Sequence, residues 1–223
     1  MKTPLRALAC VSLLGIVLCA SVQSARATAV LHFTLDDLTD RATLIVHATI
    51  TKSEAAWDAG HHKIWTTHTL TVKETLKGTH ADTLTCRTRG GAVGRLAQQV
   101  SGEANLVTEA EYVLFLKPDD EKQYRVIGLN QGAFRVTREE GKDAQAKNSV
   151  AGVTIAKRDG TEEDAEKAQP ISDTLEGLKT RIKKLVADAA AAAAKPAPVE
   201  VKPTAQDATQ PAPVEVKPAT EGK

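Results

Sequence analysis

The sequence predicts one small, mainly β domain, a barrel or sandwich of five to six strands with a short N-terminal helix, followed by an amphipathic C-terminal helix and a disordered tail. Three observations predict it. Apolar residues alternate with period two in several short runs broken by Gly, Asp and Asn turns. No run of strand, long helix and strand repeats, which argues against a βαβ sheet. The composition then changes at Pro170, where helical spacing begins, and again at Lys195, where proline takes over.

Residues 1–27 have the order of a secretory signal. Lys2 and Arg6 open it, Leu8 to Val22 is nearly unbroken apolar sequence, and Ala25 and Ala27 fit a small-residue cleavage site before Thr28. The apolar run is short for a bilayer span of about 20 residues, so no transmembrane segment is expected after cleavage. Leu18 precedes Cys19 where a lipoprotein signal needs a small residue. The expected location is periplasmic or secreted. Removing this segment takes the count of basic residues from 29 to 26 against 28 acidic ones, a net charge of about −2, which leaves no basic excess for nucleic acid. Cys10 and Cys19 leave with it, so Cys86 has no partner for an internal disulfide and the core must be an ordinary apolar one.

The domain is placed at residues 28–158. Thr34-Leu-Asp-Asp37 reads as a capping box that opens a helix through about Arg41. Leu44, Val46, Ala48 and Ile50 alternate with more polar neighbours, giving a strand whose even face is buried. After a turn at Asp58-Ala-Gly60, Ile64 to Val72 makes a second strand rich in β-branched residues, ended by Lys77-Gly78. Thr83 to Thr88 is a third, before the Gly90-Gly91 break. Glu111 to Leu116 is apolar on both sides and should lie centrally. Tyr124 to Ile127 and Ala133 to Thr137 read as a hairpin-like pair around Asn130-Gln-Gly132, with a further short strand at Val150 to Ala156. Residues 159–171 link this domain to a helix at 172–195, capped by Ser172, in which Leu175, Leu178, Ile182, Leu185 and Val186 share one face and Lys179, Arg181, Lys183 and Lys184 the other. The 28–158 unit is expected to fold without it. In the tail at 196–223, Pro-Ala-Pro-Val-Glu-Val-Lys-Pro occurs at 196 and again at 211. Proline at that density gives an extended spacer, at about 3.1 Å per residue.

The order of three strings resembles that of exported bacterial modules with an OB-like barrel, themselves similar to netrin and tissue-inhibitor-of-metalloproteinase domains. They are Ala42-Thr-Leu-Ile-Val-His-Ala-Thr-Ile50, Val72-Lys-Glu-Thr-Leu-Lys-Gly78 and Glu111-Tyr-Val-Leu-Phe-Leu116. The resemblance covers roughly residues 40 to 137 and implies a barrel. It departs where the inhibitor family carries its function, since that family uses an N-terminal cysteine and Thr28 would begin this mature chain.

Candidate chemistry is sparse. Arg87, Arg89 and Arg95 around Gly90-Gly91 could hold an anion, because glycine admits close backbone approach and arginine supplies a fork of donors; the alternative is a solvated turn. Trp57 and Trp65 flank the first hairpin loop and, exposed together, would make a binding platform; the alternative is that Trp65 covers the second face of the sheet. His47, His61, His62 and His68 suggest a metal site only until register is considered. Pairing Leu44 with Val72, Val46 with Leu70 and Ala48 with His68 turns His47 and His68 to opposite faces, so no metal and no cofactor are expected. Cys86 falls on the apolar side of its strand beside Leu84, as a small hydrophobe. G-x-S-x-G, H-E-x-x-H, a phosphate loop and C-x-x-C do not occur. The leading expectation is therefore a non-enzymatic binding or interaction module of the cell envelope, its partner an unidentified envelope protein or polymer. An inhibitor or accessory factor of a secreted peptidase comes second and a small exported hydrolase third. Intact-mass measurement of the protein from an envelope fraction should find a chain starting at Thr28, and a chain retaining Met1 would refute the reading of residues 1–27.

Overall fold

A capping box sets the first helix. In the computed structural model, which describes residues 29–80, 83–151, 154–156, 162–163 and 169–194, the strand Ala29–Leu31 (β1) leads into the helix Leu35–Arg41 (α1). Thr34 Oγ1 accepts from the Asp37 N–H at 3.1 Å, and Asp37 Oδ2 accepts from the Thr34 N–H at 3.1 Å, the reciprocal pair the sequence predicts. The signal segment 1–27 and the tail 196–223 lie outside the described residues.

Strands Leu44–Trp57 (β2) and Ile64–Lys77 (β3) form a long antiparallel hairpin, and Thr83–Arg89 (β4) pairs with β3. A small hairpin of Gly91–Val93 (β5) and Leu96–Gln98 (β6) follows. Glu111–Pro118 (β7) pairs with β2 on one edge, and Tyr124–Val126 (β8) joins β7 to β4, closing a five-stranded barrel. Around the ring the strands run β2, β3, β4, β8, β7, with β4 and β8 parallel, an OB-like order. After a 3₁₀ turn at Leu129–Gly132, Ala133–Thr137 (β9), Gln145–Lys147 (β10) and Ser172–Thr174 (β13) extend the sheet outward from β7. Thr154–Ala156 (β11) pairs with β1 and with Glu162–Glu163 (β12) in a separate small sheet.

Two expectations change here. Tyr124 to Ile127 and Ala133 to Thr137 do not form a hairpin. They lie end to end along one edge of β7, with Val126 opposite Leu116 and Ala133 opposite Leu114, so the chain keeps its direction through the turn. Gly128, at φ +65°, allows the jog, and a Cβ there would stand 2.5 Å from Phe33 Cδ2. The β2–β3 register also differs: Val72 lies opposite Ala48, Leu70 opposite Ile50, and His68 opposite Ser53. β2 runs on past Ile50 as a polar strand that apolar alternation does not mark. The turn at Asp58 then sets the register, its Oδ1 accepting from the His62 N–H at 2.7 Å.

Two apolar cores lie on the two faces of β2 and β7. Inside the barrel are Leu44, Val46, Ala48, Ile50, Leu70, Leu84, Cys86, Leu114 and Leu116. On the outer face, Ile45, Val113, Phe115 and Phe134 pack against Leu35 and Leu38 of α1 and against Leu175, Leu178 and Ile182 of the last helix, Leu175–Ala194 (α2). The lower part of β2 is thus buried on both faces, not on its even face alone. Thr174, not Ser172, caps α2, its Oγ1 accepting from the Gly177 N–H at 3.1 Å, while Ser172 sits in β13. Lys179 and Lys183 bond the Glu74 carboxylate at 2.9 and 2.6 Å, which draws that carboxyl below its usual range. α2 thus supplies three buried side chains to the outer core and packs on the domain it follows. Leu178 is fully buried, so Leu178→Ala should destabilise the protein by about 2–5 kcal/mol in urea unfolding, whereas exposed Lys184→Ala should change it by less than about 0.5 kcal/mol.

Candidate functional site

The inner face of the barrel changes chemistry along its axis. Past Ile50 the same face carries Ser53, His68, Thr66 and Thr88, brought together because His68 lies opposite both Ser53 and Cys86 and Thr66 lies opposite Thr88. Ser53 Oγ is 2.8 Å from His68 Nδ1, His68 Nε2 is 2.9 Å from Thr88 Oγ1, and the Thr108 hydroxyl donates to Ser53 Oγ at 3.2 Å. Burial lowers the His68 pKa to about 4, so this imidazole is neutral over most of the pH range. Gly91, at φ +132°, lets the β5–β6 hairpin lie on this arm; a Cβ there would stand 2.4 Å from Thr66 Oγ1.

The segment from Gln99 to Ala110 crosses the barrel end as a plug. Ala104 and Leu106 enter the inner core, and Tyr112 Oη holds the backbone, accepting from the Val107 N–H at 3.1 Å and donating to the Asn105 carbonyl at 3.3 Å. On one side of the plug is a polar pocket of about 370 Å³ containing Ser53, His68, Thr88 and Thr108. On the other, between the plug and strands β9 and β10, is a cleft of about 760 Å³ lined by Tyr112, Asn130, Arg135, Lys147 and Asn148. Glu103 lines both.

Glu103 is a buried carboxylate that the backbone N–H groups of Arg89 and Ala104 face, while one of its oxygens has no donor. Its side chain is 6 % exposed, with Arg89 Nε at 3.5 Å and Arg125 Nη2 at 3.6 Å from Oε2, and Oε2 accepts no hydrogen bond. Burial raises its pKa, against the pull of Arg125 and Arg89. Asn130 presents a second orphan acceptor: its Nδ2 donates to the Ala151 carbonyl at 2.7 Å, and the buried Oδ1 has no donor. At the cleft rim, Arg135 and Lys147 are exposed and lie directly opposite one another on β9 and β10. Among the described residues neither has an ion-pair partner.

The residues singled out in the sequence are dispersed. Arg87 donates from Nε to Asp119 at 2.9 Å and from Nη1 to Glu121 at 2.8 Å, and its guanidinium lies 4.2 Å from the Trp65 ring centroid, with that of Arg125 5.1 Å away. That network occupies Trp65. Arg89 turns to Glu103, and Arg95 stands exposed in the β5–β6 turn, so the three arginines do not surround one anion site. Trp57 stacks on His61 at 6.0 Å. Ala56 lies opposite Trp65, which puts the two tryptophans on opposite faces of the hairpin and removes the shared platform. His47 is buried on the outer face, bonded to Glu111, far from the His68 environment. Arg138, His47 and Lys73 donate to Glu111 and outweigh its burial, bringing its pKa to about 2. Cys86 is 2 % exposed and its thiol pKa is pushed up to about 12.

Glu103, Asn130, Arg135 and Lys147 escaped the sequence reading. Glu103 belongs to a stretch with no periodicity, and the short strand that carries Lys147 has no apolar run of its own. No known family model matches the chain, and no curated protein matches it.

The His68 environment fixes a pH dependence. Between an ordinary histidine pKa of about 6.5 and the native value of about 4, the unfolded chain binds a proton that the native state does not. Stability is therefore lost as pH falls through that window, by about 3 kcal/mol in all. Buried His47, also lowered, acts in the same sense; Glu103, raised, acts against it. Urea unfolding across pH 4 to 7 should show this limb, and His68→Gln should flatten it; an unchanged slope would contradict the assignment.

Proposed function

We propose that the chain is a non-enzymatic binding module of the cell envelope, with its ligand in the cleft between the Gln99–Ala110 plug and strands β9 and β10. One observation carries the reading: Arg135 and Lys147 line the cleft directly opposite one another, and among the described residues neither has an ion-pair partner. Like charges so placed repel. A ligand that brings an anionic or acceptor group between them relieves that repulsion. The cleft volume of about 760 Å³ falls in the range of small-ligand sites. Placement in the envelope follows from the signal-like order of residues 1–27, and the small negative charge of the remaining chain speaks against nucleic acid.

The adjoining pocket favours a second reading, a small exported hydrolase. Ser53 Oγ lies within hydrogen-bond reach of His68 Nδ1, and Thr88 orients the other ring nitrogen, which is the arrangement of a nucleophile, its base and a positioning group. Labelling of Ser53 by a fluorophosphonate, abolished in Ser53→Ala, would favour it over the binding reading. A role beside a secreted peptidase rests on the resemblance of the barrel strings alone.

Titration of the isotopically labelled chain from Thr28 with soluble glycan and muropeptide fragments of an envelope hydrolysate tests the binding reading by NMR. Amide shifts should concentrate at Gly102 to Val107 and along β9 and β10. A folded chain in which no fraction moves these signals would refute it.

A further inference from the structure

We infer that the outer wall of the barrel carries a second ligand site, a phosphoryl-binding site formed by Arg89 of β4, Lys117 of β7 and Arg125 of β8. These three side chains line one pocket of about 310 Å³, together with Asp119 and the turn from Ile127 to Leu129. The pocket shares no lining residue with the cleft.

The first support is an excess of donors over acceptors. Asp119 and Glu121 are both spent on Arg87. Glu103 is left to serve Arg89 and Arg125 together, at 3.5 and 3.6 Å, which balances part of their charge but is too long for a normal hydrogen bond. Lys117 is exposed and, among the described residues, has no ion-pair partner. Both arginines remain in reach of solvent, their side chains 45 and 23 % exposed. Arg125 Nε is buried, which leaves the terminal Nη groups of that residue as the donors a ligand can meet.

The second support is the crowding of like charge. Lys117 lies directly opposite Arg125 on the neighbouring strand, and like charges so placed repel. Burial, and the charges of Arg89 and Arg87, draw the Arg125 pKa below the ordinary arginine value against the pull of Glu103. The Trp65 ring, its centroid 5.1 Å from the Arg125 guanidinium, holds that side chain in place. An anion among the three cations would remove the repulsion and meet guanidinium forks that are already oriented.

The third consideration selects the anion. Gly128 and Leu129 line the same pocket, and among the described residues their backbone N–H groups have no acceptor. Donors therefore come from β4, β7, β8 and the turn. A carboxylate answers them with two oxygens and a single charge. A phosphomonoester brings three strong acceptor oxygens and a charge of about −1.5 to −2 at neutral pH, so it satisfies more of these donors and more of the charge.

Calorimetric titration of the chain from Thr28 with glucose 6-phosphate, glucose 6-sulfate, glucuronate and glucose varies the anion on one sugar, and inorganic phosphate tests the group alone. Glucose 6-phosphate or inorganic phosphate should bind, with NMR shifts at Lys117, Arg125, Gly128 and Leu129. Lys117→Gln, exposed and checked by melting for retained fold, should weaken that binding by about tenfold, roughly the loss of one charged contact. Lys184→Gln, which removes an equal charge from the exposed side of α2, should leave it unchanged. Affinity should fall as salt is raised. Binding of the sulfate, glucuronate or glucose as tight as that of the phosphates overturns the inference. So does phosphate binding that ignores Lys117→Gln or shifts only the signals of β9 and β10. Failure of both phosphates to bind at millimolar concentration overturns it as well and leaves the cleft reading standing.

Discussion

Strand β7 is the constraint on which the molecule depends. Its residues alternate between two cores, Leu114 and Leu116 facing the barrel interior and Val113 and Phe115 facing the helices. One edge is committed to β2, and the other is divided, first to β9 and then to β8. A strand buried on both faces and paired on both edges cannot move without disturbing every neighbour. The helix α2 belongs to this arrangement, because its apolar face closes the outer core and its lysines meet Glu74 on β3.

The division of the β7 edge also generates the concavity at the barrel end. β8 turns inward to meet β4 at a single pair, Cys86 with Tyr124, while β9 leads outward to β10. The backbone between them is taken up by the 3₁₀ turn that carries Asn130. A barrel opened in this way exposes its inner core unless something covers it, and Ala104 and Leu106 of the plug do so. Covering the core from one side leaves Glu103 enclosed between two arginines and Asn130 buried in the 3₁₀ turn. The polar features of the site are thus a by-product of how the sheet is closed.

The elements legible in the sequence were those specified locally. The Thr34–Asp37 cap follows from three-residue spacing, and the central place of Glu111 to Leu116 follows from an apolar run with no polar side. What could not be read depended on distant partners. The polar upper half of β2 has no apolar signal, so the register with β3 was misplaced until the Asp58 turn is known. The apolar stripe of Leu175, Leu178 and Ile182 was visible, but what it covers was not, because amphipathicity names a buried face and not its counterpart. At the site, the arginines and tryptophans stood out by residue type. Their partners Asp119, Glu121 and Glu103 come from other loops, and residue type alone does not show that these engage Arg87, Arg89 and Trp65.

The buried thiol of Cys86 gives barrel closure a chemical dimension. A free cysteine exposed before folding is a route to covalent dimers, and it reacts as the thiolate. In the folded barrel the group is sealed in the inner core with a pKa of about 12, so it has neither access nor ionisation. Both protections depend on the Cys86–Tyr124 pairing between β4 and β8, a contact between segments far apart in sequence. Small β-barrels close in milliseconds to seconds, whereas disulfides form in seconds to hours. Closure therefore competes kinetically with cross-linking, and the strand pairing that completes the fold also withdraws the thiol from redox exchange.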